Sequence, residues 1–119
     1  MASYKELRVW QKAMDLVFDI YQLTDSLPKE ETYGLRDQMR RAAVSIPSNI
    51  AEGQARNSEK DFIRFLYIAQ GSRAELETQL EICAHLNYIS KDQIMLAENL
   101  SSKTGKMIRN LIRTLTQPS

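Results

Sequence analysis

Seven arginine and lysine side chains carry the chemistry that this sequence supports best, which is contact with phosphate groups. Three stand between positions 36 and 41, and four recur at three- or four-residue spacing between positions 103 and 113. From Asn99 to Ser119 the chain has four Lys or Arg and no Asp or Glu. Such a surface binds phosphates without sequence preference, and its affinity falls steeply with salt. The seven residues are Arg36, Arg40, Arg41, Lys103, Lys106, Arg109 and Arg113.

A solvated helix surface is the alternative for both groups, with the later cations complementing the negative end of a helix dipole. The whole chain has 16 Lys and Arg against 15 Asp and Glu, a net charge of +1. A strongly basic domain is the usual sign of nucleic-acid binding. Symmetric assembly would repeat each basic group and so create a larger electropositive surface.

The residues typical of catalysis are sparse. Cys83 is the single cysteine and falls on an apolar helix face, where a buried thiol is expected rather than a nucleophile. His85, the single histidine, lacks a partnered nucleophile. Some helical-bundle ribonucleases carry an arginine a few residues before a histidine, but positions 78–80 here are Thr, Gln and Leu. We therefore expect no enzyme, no metal and no cofactor, with a nuclease for structured RNA as the remaining enzymatic alternative.

Four helices, with no convincing strand pattern, must position these groups. Apolar residues at three- and four-residue spacing predict helices over about 5–27, 32–52 and 58–87, and from 90 towards the C-terminus. The short connections favour an antiparallel up-down-up-down four-helix bundle. The length fits a single domain over 1–119. On the last helix, the predicted core face is Leu96, Ala97, Leu100, Thr104, Met107, Ile108, Leu111 and Leu115.

Local signals mark several helix ends and one close contact. Ser58 and Ser90, each followed three residues later by Asp or Gln, resemble capping boxes. Gly53 is predicted as the C-terminal cap of the second helix. Gly71 and Ser72 are small residues that would allow either the close approach of a neighbouring helix or a gentle bend. Arg73, near Glu75 and Glu77 in the sequence, is expected to form an ion pair.

The first helix has more apolar surface than one bundle core requires. Two neighbouring apolar rows cover roughly 200° of its circumference, whereas a bundle helix needs only somewhat more than about 100°. Either the bundle wraps this helix or the helix lies in a subunit interface. We expect the interface, because exposed apolar patches mark association sites. The predicted interface residues are Val9, Trp10, Ala13, Leu16 and Ile20, with Trp10 and Tyr21 as anchors.

A proline lies inside the predicted second helix. Pro47 has no N–H for the carbonyl of Ala43, which costs a helix about 3 kcal/mol. Ser45, Ser48 and Asn49 could supply donors around the interruption. Either these small polar residues allow close helix packing and form hydrogen bonds with the interrupted backbone, or they present polar groups to a partner. We favour the first, structural interpretation.

The 14 residues from 40 to 53, Arg-Arg-Ala-Ala-Val-Ser-Ile-Pro-Ser-Asn-Ile-Ala-Glu-Gly, are the most specific motif of the chain. With further runs, they resemble a family of small four-helix-bundle proteins encoded in intervening sequences of bacterial 23S ribosomal RNA genes. The resemblance extends over nearly the whole chain. The further runs are 7–10, 33–35, 65–66, 71–72 and 75–80, with Ser58 and Phe62.

This resemblance implies a four-helix bundle and gives no catalytic residue. The family is related to accessory proteins of diversity-generating retroelements, which form pentameric rings and bind nucleic acid and a reverse transcriptase. By that analogy we expect a homo-oligomer, with a pentamer favoured, and a partner protein such as a reverse transcriptase.

The leading hypothesis is a non-enzymatic, homo-oligomeric helical scaffold that associates with RNA or DNA through basic faces. The alternative is a protein-interaction module that binds a partner protein and has no nucleic-acid role. A single cysteine, the lack of an apolar leader and the lack of any apolar run of about 20 residues predict a cytoplasmic protein without membrane contact.

Overall fold

The computed structural model describes residues 3–117, and these residues form four α-helices. They are α1 (Arg8–Thr24), α2 (Asp37–Ala55), α3 (Glu59–His85) and α4 (Lys91–Thr116), and the described residues contain no strand. The predicted all-helical fold is confirmed. Helix α1 packs against α2 and α4, and α3 packs against the same two helices, in a body of 50 × 22 × 20 Å. The α1–α2 surface therefore lies opposite the α3–α4 surface.

The N-terminal caps follow the local sequence signals. Ser58 Oγ accepts a hydrogen bond from the backbone N–H of Asp61 at 3.2 Å, and Ser90 Oγ accepts one from Gln93 at the same distance. These bonds satisfy N–H groups that have no partner within the helix, which is why α3 and α4 begin directly after these serines.

The start of α2 is less regular than predicted. A short 3-10 turn (Lys29–Glu31) leads into a π-helical segment (Thr32–Arg36), and the α-helix begins only at Asp37. The carboxylate of Glu31 accepts a hydrogen bond from the backbone N–H of Leu35 at 3.3 Å. Helix α1 is also shorter at both ends than the predicted 5–27.

The prediction that Gly53 caps α2 is wrong. Gly53 is buried inside the helix, which continues to Ala55. A methyl group at Gly53 would lie 2.7 Å from Cβ of Phe65, closer than two carbon atoms can pack. Glycine is therefore needed here for the contact between α2 and α3, not for ending the helix.

The bundle core accounts for most of the apolar surface of α1. Val9, Ala13, Leu16 and Ile20 are buried against their own chain. The prediction that these four residues form a subunit interface is therefore corrected, because they have almost no surface to offer a second copy. Trp10 is half-buried and keeps part of its surface.

The core face of α4 is rotated slightly from the predicted one. Leu96, predicted inside, is 53% exposed. Ile94, Ser101, Gly105 and Ile112 are buried instead. Ala97, Thr104 and Ile108 are buried as predicted, and the remaining predicted positions are Leu100, Met107, Leu111 and Leu115, which pack partly buried against the core.

Candidate nucleic-acid interface

Four cations, which we call the basic stripe, lie on the outer surface of α4. Lys103, Lys106, Arg109 and Arg113 are all exposed, and none forms an ion pair within residues 3–117. They extend over ten residues, or roughly 15 Å of helix at the α-helical rise. The closest polar partner of the group is Asn110, whose Oδ1 accepts from Arg113 at 3.5 Å. The stripe thus has donors and positive charge without an internal counterion.

The three arginines of α2 do not form a comparable surface. Arg40 donates to Thr24 Oγ1 at 2.8 Å, to the carbonyl of Tyr21 at 3.1 Å and to Asp25 at 2.9 Å. Its guanidinium carbon also lies 4.4 Å from the centre of the Tyr21 ring, and the side chain is 18% exposed. Arg40 therefore fastens α2 to the C-terminal end of α1.

Arg36 shares that carboxylate, at 3.5 Å from Asp25 Oδ1. Both guanidinium groups thus already have an anionic partner, and phosphate contact by Arg36 and Arg40 stays a prediction. Arg41 differs from them, because it is exposed and forms no ion pair within the described part of the chain. Arg41 is therefore the best placed of the three for phosphate contact.

A partly buried polar cluster joins α3 to α4. Arg73, 14% exposed, donates to Glu77 at 2.7 Å, which confirms the predicted ion pair. It also donates to Gln70 at 2.8 Å and to Ser101 Oγ at 3.3 Å. Gln70 Nε2 donates to the carbonyl of Gly105 at 3.0 Å. Five residues thereby fix the two helices against each other.

Gly105, rather than Gly71, allows the close approach of α3 and α4. A Cβ atom at position 105 would overlap the guanidinium of Arg73, whereas one at Gly71 would meet nothing within 4 Å. The prediction of a close helix contact at Gly71 is therefore wrong, and the alternative of a gentle bend there stays a prediction. Its neighbour Ser72 is buried, as expected of a packing residue. A glycine deep inside a helix is costly, so Gly105 was the available signal for this contact.

The polar residues around Pro47 connect α2 to α3. Ser45 Oγ lies 2.8 Å from Ser72 Oγ in a hydrogen bond, and Asn49 Nδ2 donates to the carbonyl of Ser45 at 2.8 Å. Pro47 itself is buried inside a helix that is α-helical from Asp37 to Ala55. These contacts support the structural interpretation for Ser45 and Asn49. Ser48 is exposed.

An apolar groove, the α1–α2 groove, lies on the side of the bundle opposite the basic stripe. It encloses about 320 Å³. Phe18, one turn after Met14 on α1, is 60% exposed and continues the apolar surface beyond it. The lining residues are Tyr4, Trp10, Met14, Val17, Val44, Pro47, Ser48 and Ala51.

An acidic cavity of about 670 Å³ lies where α3 ends and α4 begins. Glu81 and Glu98 line it together with Tyr88 and Met95. Burial, a hydrogen bond with Glu81 and the negative charges of Glu81 and Glu77 raise the pKa of Glu98. Within residues 3–117, no group of His, Cys, Asp and Glu side chains is arranged to hold a metal ion.

Cys83 has the environment of a structural thiol. It is fully buried, its sulfur lies 3.6 Å from that of Met39, and burial with the charge of Glu31 raises the thiol pKa to about 11. A thiol with that pKa is protonated at neutral pH and is a poor nucleophile.

No helix within residues 3–117 is long and apolar enough to cross a bilayer.

The fold and the surface together define a small helical-bundle protein whose α4 carries a basic face without an ion pair among residues 3–117. Residues 5–110 match the family model described as 23S rRNA-intervening sequence protein, and the chain belongs to that family. This confirms the resemblance found in the sequence.

One solved structure extends the comparison. It is a protein of unknown function from the S23 ribosomal protein family of Bacteroides thetaiotaomicron VPI-5482, similar with a TM-score of 0.82 and 29% identity. The alignment covers 88% of this chain and 95% of that one. A search of curated proteins finds no significant match.

Proposed function

We propose that this protein is a non-enzymatic, homo-oligomeric scaffold that associates with RNA or DNA through the basic stripe. The observation that carries the proposal is the set of four exposed cations on α4 without an acidic partner in the described chain. Unpaired surface cations repel one another, so a polyanionic ligand would relieve that repulsion and release its own counterions on binding. Membership of a family named after a ribosomal RNA intervening sequence also supports the proposed association with nucleic acid.

The assembly that we propose is a ring, with a pentamer favoured, of up-down-up-down bundles. The α1–α2 groove and Phe18 supply the apolar surface for subunit contact in place of the buried residues first expected. Because the groove lies opposite the basic stripe, contacts through it would leave the stripe of each subunit free. A ring would then display the stripe once per subunit, and a modest positive patch would become a continuous one.

Binding to labelled nucleic acid at several salt concentrations tests the role of the stripe. We expect the triple variant Lys106→Gln, Arg109→Gln, Arg113→Gln to bind all sequences more weakly. The slope of the logarithm of its binding constant against the logarithm of the salt concentration should be smaller in magnitude by about two to three, since each phosphate contact contributes about 0.7 to 0.9 to that slope. The matched control changes three exposed lysines elsewhere, Lys5, Lys29 and Lys91, to Gln, and so removes the same total charge.

Equal weakening of the two triple variants would show that only net charge matters. Unchanged binding in the α4 variant would exclude the stripe as the contact surface.

Light scattering of nuclease-treated protein tests the assembly. A mass near five times the 13.7 kDa of one chain is expected, and Phe18→Glu should lower it. A monomeric wild-type protein would contradict the ring.

The second candidate function is a protein-interaction module whose partner occupies the α1–α2 groove. The exposed apolar surface at Phe18 and the lining of the groove favour it, because exposed apolar patches mark protein contacts. Co-purification of one protein at defined stoichiometry after nuclease treatment, lost in Phe18→Glu, would support this function. Persistence of that complex in Phe18→Glu would exclude the groove.

A further inference from the structure

Tyr67 is an aromatic residue that the bundle leaves on its surface. The side chain is 60% exposed in the middle of α3, while Phe65 and Leu66 beside it are buried. Within residues 3–117, the ring of Tyr67 stacks on no other aromatic ring and on no arginine. Both the apolar ring and its phenolic group are thus available to a ligand.

The polar cluster between α3 and α4 fixes where this ring stands relative to the basic stripe. Gln70 bonds to Gly105, and Arg73 bonds to Ser101, so the residue numbers rise along α3 as they fall along α4. One turn before Gln70 is Tyr67, and one turn after Gly105 is Arg109. The two residues therefore stand at the same level of the bundle.

The spacing across the two helices brings the ring and the cations within reach of the same short segment of ligand. Packed helices have axes about 8–10 Å apart. Tyr67 and Arg109 are both exposed at one level, and Lys106 and Arg113 lie within one turn of Arg109. The basic stripe offers phosphate contacts along roughly 15 Å. An aromatic ring thus stands beside a row of cations, an arrangement that proteins use to hold unpaired bases.

We infer that Tyr67 stacks on an unpaired base, so that this surface binds single-stranded nucleic acid in preference to duplex. The inference rests on the proposed function, because the phosphates of the same strand contact the basic stripe. Bases in a duplex are already stacked on their neighbours and present only their edges, so they cannot cover the ring. Base stacking tolerates any sequence, which agrees with a surface that otherwise recognises phosphate charge.

Fluorescence anisotropy with a labelled 12-nucleotide RNA of unpaired sequence, and with the same strand in a duplex, tests the inference. The wild-type protein should bind the single strand more tightly. Tyr67→Ala should weaken single-strand binding by roughly five- to 150-fold and leave duplex binding unchanged. Tyr67→Phe keeps the ring and should retain most of the affinity. Tyr33→Ala is the matched control, since Tyr33 is 91% exposed at the far end of the bundle from Arg113, and it should bind like the wild type.

A spectroscopic readout separates stacking from loss of fold. Tyr67→Trp should keep the affinity, and its emission should be quenched as single strand is added. The wild-type protein, whose single tryptophan is Trp10 on the opposite side, gives the background. Circular dichroism and the unfolding midpoint should be the same for all Tyr67 variants.

The outcomes distinguish the two proposals. If Tyr67→Ala binds single strand as well as the wild type, or loses duplex affinity by the same factor, stacking is excluded while phosphate contact by the stripe stands. If the wild-type protein binds neither probe at low salt, the proposed function fails and the inference fails with it. If a DNA strand of the same sequence behaves like the RNA strand, the ring recognises bases and not the sugar.

Discussion

Two sets of cations in this bundle have opposite environments. Arg40 and Arg73 are largely buried. Arg40 bonds to groups at the C-terminal end of α1, and Arg73 bonds to Gln70 and Glu77 on its own helix and to Ser101 on α4. Arg109 and Lys106 on α4 are exposed and have no anionic partner in the described chain. The first set stabilises the fold, and the second is free to bind a ligand.

The difference shows that the groups around a cation in the fold, rather than its position in the sequence, decide whether it stabilises the fold or stays exposed to solvent. Arg40 and Arg41 are adjacent in the sequence, yet one fastens two helices and the other faces solvent. Arg40 lies on the side of α2 that faces α1, and Arg41 does not. Substitutions should therefore separate the two sets clearly, with stability responding to one and binding to the other.

The largest effect on stability is expected at Arg73. Arg73→Ala removes hydrogen bonds to Glu77, Gln70 and Ser101 and leaves those groups partly unsatisfied. Bonds to charged groups contribute about 1.5–3 kcal/mol, so the free energy of unfolding in urea should fall by about 2–3 kcal/mol. Arg109→Ala is the control and should change it by less than about 0.5 kcal/mol. Equal losses in the two variants would remove the distinction between the sets.

A somewhat smaller loss is expected at Arg40. Arg40→Ala removes the contacts with Thr24, Asp25 and the Tyr21 ring, but these groups lie near the end of α1, where water can replace part of the bonding. We expect a loss of about 1.5–2 kcal/mol, measured as a shift of the urea midpoint. Its neighbour Arg41→Ala should leave the midpoint nearly unchanged. A stable Arg40→Ala protein would mean that the interhelical contacts contribute little.

Alanine substitutions at Gly105 and Gly71 should change the stability of the protein in opposite directions. Gly105→Ala forces the Arg73 guanidinium out of its bonds and should destabilise the protein by about 1–3 kcal/mol. Gly71→Ala meets open space and replaces glycine inside a helix, so it should stabilise by about 0.5–1 kcal/mol. Thermal unfolding of the two variants side by side measures both shifts. Two shifts of the same sign would contradict the packing described here.

The smallest effect concerns pH and the acidic cavity. Because the pKa of Glu98 is raised in the folded protein, the folded state holds its proton to higher pH than the unfolded state. The free energy of unfolding should therefore fall as pH rises from the ordinary pKa of glutamate through the raised one. Glu98→Gln removes this dependence and should be more stable than wild type at neutral pH.

Unfolding curves at several pH values measure the difference, which should narrow on acidification. A difference that stays constant with pH would show that Glu98 does not titrate in this interval.

Features that depend on neighbouring residues in the chain could be predicted from the sequence. Ser58 and Ser90 begin their helices because a serine oxygen reaches an N–H three residues later, whatever the rest of the fold does. The apolar spacing likewise placed Ala97, Thr104 and Ile108 on the buried side of α4.

Features that depend on the partner helix could not be predicted. Gly53 has the signature of a helix end, but the bulk of Phe65 on α3 is what requires glycine there. The wide apolar arc of α1 is mostly covered because α1 packs against both α2 and α4, a fact that one helix considered alone does not contain. Tyr67 gave one usable signal, a ring outside the apolar row of α3.

Gly105 also fixes the longitudinal register of α4 against α3. The Arg73 guanidinium occupies the space that any larger side chain at position 105 would need. If α4 shifted and rotated by one residue, Thr104 or Lys106 would take the place of Gly105, and each carries the Cβ atom for which there is no room. The absence of a side chain at position 105 therefore sets the longitudinal alignment of the two helices. That alignment also sets the offset between Tyr67 and Arg109. Gly105 would therefore determine how the two groups proposed to bind a single strand are placed, without touching the strand itself.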